Sequence, residues 1–361
     1  MQTSTIIINA IIMFIIAFTV SSICIPLVIR IAEKKKLYDS TGGRHIHNGQ
    51  ISRLGGIAVF AGLIFSQVYF FLDIPSTEAI LKSYYLLTFS ISLLFLLGFL
   101  DDMVSIKANT KFVLQVLVAL ILVWGADVRI ESFYGLFGVE VLPLWFSYLF
   151  SILVITFFVN AYNLIDGLDS LSSSVGIYVL ACFTGFFVWN EAYVDSMIAF
   201  SAMGALLGFW FFNKPPARIF MGDSGSLSIG LLLAYFSIKV SNIPLDAEGT
   251  LSPVFAMVVL AYPVVDTLRV FTRRILNGIS PFTPDRNHIH HALLDLGLSH
   301  GKSTIVVVSF SFFLSAIAYL LRMDQTLSFL VLVPLILFVS QIPFLLLNRK
   351  NKRKVKMKEV D

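Results

Sequence analysis

Four short segments of this sequence carry side chains able to do chemistry, and each borders a long apolar run. The first is Gly98-Phe99-Leu100-Asp101-Asp102, with Lys107 and Lys111 downstream. Two adjacent carboxylates closing an apolar stretch are costly unless a metal, a cation or water satisfies them. They also oppose the dipole of a helix ending there, where a plain interfacial anchor would be Lys or Arg. The second is Asn160-Ala161-Tyr162-Asn163-Leu164-Ile165-Asp166-Gly167-Leu168-Asp169. Asn160, Asn163 and Asp166 recur every third residue, which lines amide and carboxylate oxygens along one side of a helix end and its exit turn. Such oxygens suit a hard cation such as Mg²⁺ and the hydroxyls of a nucleotide. The plainer account is a polar cap, since Asp-Gly is an ordinary turn.

The third segment is Phe220-Met221-Gly222-Asp223-Ser224-Gly225-Ser226. Small residues admit close backbone approach, and a helix opening there offers free N–H groups to phosphate. Asp223 can instead hold a cation that bridges to phosphate. The segment lacks the Walker pattern, and Asp or Ser as a simple N-cap is the rival account. The fourth is Pro284-Asp285-Arg286-Asn287-His288-Ile289-His290-His291. Arg286, His288, His290 and His291 make a cationic, hydrogen-bonding patch suited to a diphosphate. Zinc is the competing ligand here, but no cysteine accompanies the histidines and the oxygen-rich partners elsewhere favour Mg²⁺. Two further places are weaker. Asp266 and Arg269, at i and i+3 in an apolar run, read as a structural ion pair. Arg44, His47 and Arg53, ahead of Gly55-Gly56, are either a substrate-phosphate lip or an ordinary basic segment.

The elements that must position these groups follow from composition. The chain has 361 residues, 57% apolar or aromatic and 13% charged, with a mean hydropathy of +0.86. Soluble domains carry about 25% charged residues, so a soluble enzyme, a disordered protein and a nucleic-acid binder are excluded. The expected fold is an all-α polytopic membrane protein. Apolar runs of about 20 residues, enough to cross ~30 Å of hydrocarbon as helices, fall at 6–30, 54–72, 80–100, 111–125, 144–161, 171–190, 195–212, 224–241, 252–272, 303–321 and 326–347. The alternating pattern of a membrane barrel is absent. The first run is too long for a cleaved signal and reads as a retained helix. Cys24 and Cys182 both lie in apolar runs, so no disulfide framework is expected.

Eleven spans with the N-terminus outside and the C-terminus cytosolic put all but Lys82, Arg129, Lys239 and Arg322 of the 26 Lys and Arg on the inner face. All six histidines join them there, as do Asp101, Asp102, Asp166, Asp169, Asp223 and Asp285. Residues 1–347 then form one transmembrane catalytic domain, its site built from loops 31–53, 101–111, 161–170, 213–223 and 273–302, followed by a basic cytosolic tail, 348–361. The 126–143 loop is expected to form a small hairpin. A transporter would bury charge near the midplane on broken or paired repeats, and no internal repeat is present. Acids and imidazoles gathered on one face describe an enzyme joining a soluble anion to a membrane lipid.

The sequence resembles the polyprenyl-phosphate N-acetylhexosamine-1-phosphate transferases, glycosyltransferase family 4, over nearly its whole length. The resemblance lies in the Asp-Asp pair with Lys111, the Asn-x-x-Asn-x-x-Asp-Gly-x-Asp segment, Phe-Met-Gly-Asp-x-Gly-Ser and the His-x-His-His loop, in the family's order. Ile289 interrupts the three consecutive histidines typical of the phospho-N-acetylmuramoyl-pentapeptide branch, so the chain is more similar to the branch using UDP-N-acetylglucosamine. Gln50 and Ser52 stand where that branch has prolines. The resemblance implies transfer of N-acetylglucosamine 1-phosphate from UDP-N-acetylglucosamine to undecaprenyl phosphate, at the inner face of a bacterial plasma membrane, with release of UMP. It implies Mg²⁺, with Mn²⁺ as a substitute, held by Asp223 and Asn163. Asp101, Asp102 and Lys111 would meet the lipid phosphate, and Asn160, Asp166, Asp169 and Phe220 the nucleotide. Arg286, His288, His290 and His291 would bind the diphosphate or sugar phosphate. The peptidoglycan reaction, another UDP-amino sugar and a homodimer all stay open at this point.

Overall fold

In hydrocarbon every backbone N–H and C=O must be satisfied within the protein, which leaves helices as the spanning element for a chain without barrel patterning. The computed structural model describes residues 3–37, 51–243, 252–280, 286–321 and 325–358, the side chains of 3, 252, 321 and 354–358 excepted. Thirteen α-helices occupy these residues: α1 (Thr3–Lys35), α2 (Gly56–Asp73), α3 (Glu78–Val104), α4 (Ala108–Leu120), α5 (Leu144–Leu164), α6 (Leu171–Trp189), α7 (Tyr193–Asn213), α8 (Gly222–Ser241), α9 (Ser252–Val259), α10 (Ala261–Leu276), α11 (Ile289–Leu296), α12 (His300–Leu321) and α13 (Gln325–Lys358). Ten spans are long and apolar enough to cross a membrane, α4 with its π-helical continuation Ile121–Gly125, and eleven if the bent pair α9–α10 is one.

The expected span 252–272 is not one straight helix. It breaks at Leu260 and α10 leaves α9 at 75°. Pro263 explains the place: its ring excludes the carbonyl four residues earlier, at Val259, and it has no N–H to give. Beyond the break α10 carries Asp266, Arg269, Arg273 and Arg274, so the apolar part of the run ends where the proline stands. The basic residues after 348 continue α13 as helix to Lys358. The hairpin expected in 126–143 is present: Phe133 N–H donates to Glu140 O and Leu142 N–H to Glu131 O, both at 2.9 Å, around an isolated antiparallel bridge between Ser132 and Val141. The short helix α11, inside the long polar loop, was not expected.

At the centre stands α8. Every one of its residues is buried except Asp223 near one end and Lys239 near the other. It packs against α3, α5, α2, α6 and α9. Side chains that are apolar all round mark a helix enclosed by protein, and α8 reads Leu-Ser-Ile-Gly-Leu-Leu-Leu-Ala-Tyr-Phe through its middle. Close approach at its first turn depends on Gly98 of α3, where a Cβ would lie 2.4 Å from the Asp223 backbone. That proximity carries the Asp101-Asp102 pair, one turn further along α3, to the start of α8.

Candidate active site

The N-terminus of α8 leaves its first N–H groups without helical partners, and its N-cap residue Met221 offers no side-chain cap. Asp102, from α3, supplies one across the helix pair. Its Oδ1 accepts the Asp223 N–H at 2.8 Å and its Oδ2 the Ser224 N–H at 3.0 Å. A carboxylate here also meets the positive end of the helix dipole. Gly222 makes the turn into α8 with φ +70, and a Cβ there would sit 2.0 Å from the Arg53 carbonyl and 2.7 Å from Asp102 Oδ2. The stretch 52–56 docks on the same turn: Phe220 N–H donates to Ser52 O, and the Gly55 and Gly56 N–H groups to Phe220 O and Met221 O.

With its backbone fixed by Asp102, the Asp223 side chain meets three elements. Lys111 of α4 places its ammonium between Asp223 Oδ2 and Asp101 Oδ2, the latter at 3.0 Å. Asn163 of α5 donates from Nδ2 to Asp223 Oδ1 at 2.9 Å and to Ser226 Oγ at 2.7 Å. Asp101 Oδ1 accepts the Ile106 N–H at 2.5 Å, which pins the start of the α3–α4 turn. Asp101, Asp223, Lys111 and Asn163 are therefore one cluster drawn from α3, α4, α5 and α8, and all four remain partly open to solvent.

The turn after α5 lies beside this cluster. Asp166 accepts the Ser172 hydroxyl. Burial first, then the charges of Asp223 and Asp102, push its carboxyl up to about 7, against the lowering hydrogen bonds of Ser172 and the Gly222 N–H. Asp169 ties the turn to its neighbours through the Ala217 N–H at 3.3 Å and His300 Nδ1 at 3.2 Å.

The histidine loop closes on the same turn. A Cβ at Gly167 would lie 2.7 Å from His290 Nε2, so the imidazole rests directly on the Asp166-Gly167 backbone. His288, His290 and His291 are buried and their rings cluster, His290 and His291 with centroids 4.3 Å apart. Arg286 is exposed at the loop's entrance. Asp266, expected to pair with Arg269, takes His288 Nδ1 at 2.7 Å and the Ile289 N–H at 2.7 Å. Arg269 donates to Asn287 O at 2.5 Å and stacks on the Phe344 ring. Both residues serve to hold the loop.

The residues singled out in the sequence are thus largely brought together. Asn160 sits deeper along α5, where its Nδ2 donates to Gln115 Oε1 at 2.6 Å and to Thr156 O at 2.8 Å, so it joins α4 to α5. Asp102 braces α8 through backbone N–H groups, whereas the sequence placed it with Asp101 at a phosphate. The Phe220 ring is half-buried, and Arg53 is exposed with its carbonyl against Gly222. Arg44 and His47 lie outside the described residues. Sequence reasoning missed Asp266 as a site residue, although an acid inside an apolar run was the available signal. It also missed Gln115, an ordinary polar residue whose spacing announces nothing, and gave Ser226, the last residue of the third segment, no role of its own.

The donor set fits a hard divalent cation. Asp101 and Asp223 offer carboxylate oxygens, Asn163 can turn its amide oxygen to the same place, and no thiol is near; this is the ligand class of Mg²⁺. Among the described residues the Lys111 ammonium is shared by two carboxylates, Asp101 and Asp223, which leaves acid for a cation to balance.

A sequence model described as glycosyl transferase family 4 matches residues 84–241, from the second turn of α3 to the end of α8. A Bacillus subtilis (strain 168) protein named "Probable undecaprenyl-phosphate N-acetylglucosaminyl 1-phosphate transferase" is 32% identical over 354 residues, covering 96% of this chain and 95% of that protein. Proteins of Escherichia coli (strain K12) and Salmonella typhi, each named "Undecaprenyl-phosphate alpha-N-acetylglucosaminyl 1-phosphate transferase", are 27% and 28% identical over 297 and 296 residues. The first covers 81% of this chain and 78% of its own length, the second 80% and 78%. The cluster around Asp223 lies in the matched segment, and the match to the Bacillus protein extends over nearly the whole chain: this protein is an enzyme of glycosyl transferase family 4.

Proposed function

We propose that this enzyme transfers N-acetylglucosamine 1-phosphate from UDP-N-acetylglucosamine to undecaprenyl phosphate, giving undecaprenyl-diphosphate-N-acetylglucosamine and UMP. The product would initiate a lipid-linked cell-surface polysaccharide. The observation that carries the reading is the Asp101–Lys111–Asp223–Asn163 cluster at one end of the enclosed helix α8. It unites an oxygen-rich cation site, an ammonium and a helix N-terminus where apolar helices meet a polar loop, which suits a reaction between a lipid phosphate and a soluble diphosphate. The names of the relatives supply the substrates. The concentration of Lys and Arg on the same side favours the cytosolic face.

A phosphate oxygen of the lipid attacks the β-phosphorus of the donor. The new P–O bond forms as the bond from that phosphorus to the bridging oxygen breaks, and UMP departs with that oxygen. A phosphate monoester is largely ionised at neutral pH, its second pKa being about 6, so the acceptor needs no strong base. Asp101 and Lys111 stand where the acceptor phosphate arrives, Lys111 offsetting its charge. Bound Mg²⁺, with Mn²⁺ as a substitute, would be held by Asp223 and Asn163 and would neutralise the diphosphate. Asp166, Asp169 and Phe220 face the nucleotide, with Asn160 behind them. Arg286, His288, His290 and His291 receive the diphosphate and sugar phosphate, and Arg53, with Arg44 and His47, edges the entrance.

The test uses purified protein in detergent with undecaprenyl phosphate, Mg²⁺ and radiolabelled UDP-N-acetylglucosamine. Label is followed into butanol and UMP in the aqueous phase. Matching label and UMP, both lost on chelation, are the expected result. Transfer from a different UDP-amino sugar only would overturn the donor, and no transfer from any donor would overturn the reaction.

A further inference from the structure

The helix α11 carries the histidine loop, and as Ile289–Leu296 it is too short to stand alone, isolated helices below about 12–15 residues being marginal in water. Its place is set by what it docks on, α13 and α12. The carbonyls of a helix's last turn have no intrahelical partners. In α11 they belong to Leu293, Leu294, Asp295 and Leu296, and each is taken. The Leu298 N–H donates to Leu293 O at 3.2 Å and the Gly297 N–H to Leu294 O at 2.8 Å, with Gly297 left-handed at φ +106, the pairing of a Schellman turn. Lys350 of α13 takes the other two: its Nζ donates to Asp295 O at 2.9 Å and to Leu296 O at 3.0 Å.

That ammonium comes from another helix because α11 has no Lys or Arg in its last turn. It has Asp295 there instead, a carboxylate at the negative end of the helix dipole. A lysine that merely anchored the end of a span would extend its ammonium toward headgroups and water. Arg349, Lys352 and Arg353 are exposed in that way, whereas Lys350 is half-buried with its ammonium on α11. α13 also grips the other end of the loop through Arg269. That guanidinium donates to Asn287 O, stacks on the Phe344 ring and turns Nε toward Gln341 Oε1 at 3.4 Å.

We infer that Lys350 is a positioning residue for the UDP-sugar: by capping α11 it holds the histidine loop against the Asp166-Gly167 turn. The last helix, which lies beyond the matched residues 84–241, thereby enters substrate recognition. The inference rests on the role proposed above for that loop and adds what fixes the loop's distance from the Asp223 cluster. α11 meets the turn through the His290 ring, which packs on Gly167. Releasing the cap at Leu296 lets the short helix unwind from that end, so the loop spends less time in place. Asp101, Lys111 and Asp223, on the acceptor side, are carried by α3, α4 and α8.

The experiment measures kcat and KM for both substrates in Lys350→Met, which keeps the aliphatic stem and removes the ammonium. The kcat/KM for the UDP-sugar is expected to fall roughly 10-fold, about what one hydrogen bond to a charged group supplies, while the acceptor KM holds. Lys350→Arg keeps N–H groups for both carbonyls and should recover most of the loss. Lys352→Met removes an equal charge from an exposed position of the same helix and should stay within about 2-fold of wild type. Wild-type constants in Lys350→Met, an equal loss in Lys352→Met, or a loss spread equally over both substrates would overturn the inference. If wild type turns over another UDP-amino sugar, the same constants are read with that sugar. If it turns over none, the proposed reaction fails by itself, and amide hydrogen exchange then reads the clamp. Residues 293–298 should exchange about 10-fold faster in Lys350→Met, with α8 unchanged, and equal exchange refutes the inference.

Discussion

The two ends of α8 each present one side chain that is not buried, Asp223 and Lys239, and each is surrounded by charge. At the Lys239 end a cavity of about 270 Å³ is lined by Asp127, Glu131, Asp195, Lys239 and Asn242. Every acid there has a cation: Asp195 lies 3.8 Å from Lys239, and Arg129 reaches Asp127 at 2.8 Å and Glu131 at 3.5 Å. Asp195 also accepts the Tyr84 hydroxyl at 2.6 Å. At the Asp223 end, among the described residues, the Lys111 ammonium reaches Asp101 and Asp223, while Asp102 is spent on backbone N–H groups and Asp166 accepts the Ser172 hydroxyl. Charge at a membrane face is therefore no sign of chemistry by itself. A set in which every acid has a cation within reach holds helices together, and a set with carboxylates beyond its ammonium's reach is suited to receive something positive.

Removing the Asp223 carboxylate should have the largest effect. In Asp223→Asn, transfer is expected to fall below about a thousandth of wild type, with an unchanged size-exclusion profile in detergent. Full activity would break the comparison at its root. Chelating divalent cations should abolish transfer reversibly, Mg²⁺ restoring it, while leaving Asp195-end variants as folded as before. Lys111→Met removes the only ammonium of the cluster, and an activity loss on the order of 100-fold is expected. Asp195→Asn sharpens the other half. It should leave turnover within about 2-fold of wild type, while loss of a hydrogen bond to a charged group costs roughly 1.5–3 kcal/mol of stability. A thermal midpoint lower by several degrees, with activity intact, is the result that fits.

How much of this was legible in the sequence differs between fold and site for one reason. A membrane span announces itself by the length of an apolar run, so the expected spans 144–161 and 171–190 match α5 (Leu144–Leu164) and α6 (Leu171–Trp189) closely. The break at Leu260 was written in Pro263 and in the charges after it, but run length alone hid it. At the site, residue types and chain order marked Asp101, Asn163 and Asp223. The pairings that decide what each does join residues far apart in sequence, as Asp102 to the Asp223 N–H, 121 positions away, and Asp266 to His288, 22 away. Local spacing carries no information about such pairs. Asp102 looked like a twin of Asp101 because its partner is a backbone group, which every residue has. Asp266 looked structural because its partner was sought on its own helix.

The smallest expected effect is a pH dependence confined to one end of α8. The Asp166 carboxyl stands near 7 when folded against an ordinary 3.8, raised first by burial and then by Asp223 and Asp102. The folded state thus binds a proton that the unfolded state has released. Stability from this group is complete below about 4 and is lost as pH rises through about 7. Between pH 6 and 7.5, in chelator, the loss is on the order of 1 kcal/mol. It should appear as a falling thermal midpoint in wild type and in Asp195→Asn, and it should flatten in Asp166→Asn. Adding Mg²⁺ should flatten it in wild type as well, because a cation at the Asp223 end favours the ionised carboxylate. A fall that persists in Asp166→Asn would place its origin elsewhere. A fall that disappears in Asp195→Asn would show that the two ends are coupled through the apolar middle of α8, which the separate charge sets at its ends argue against.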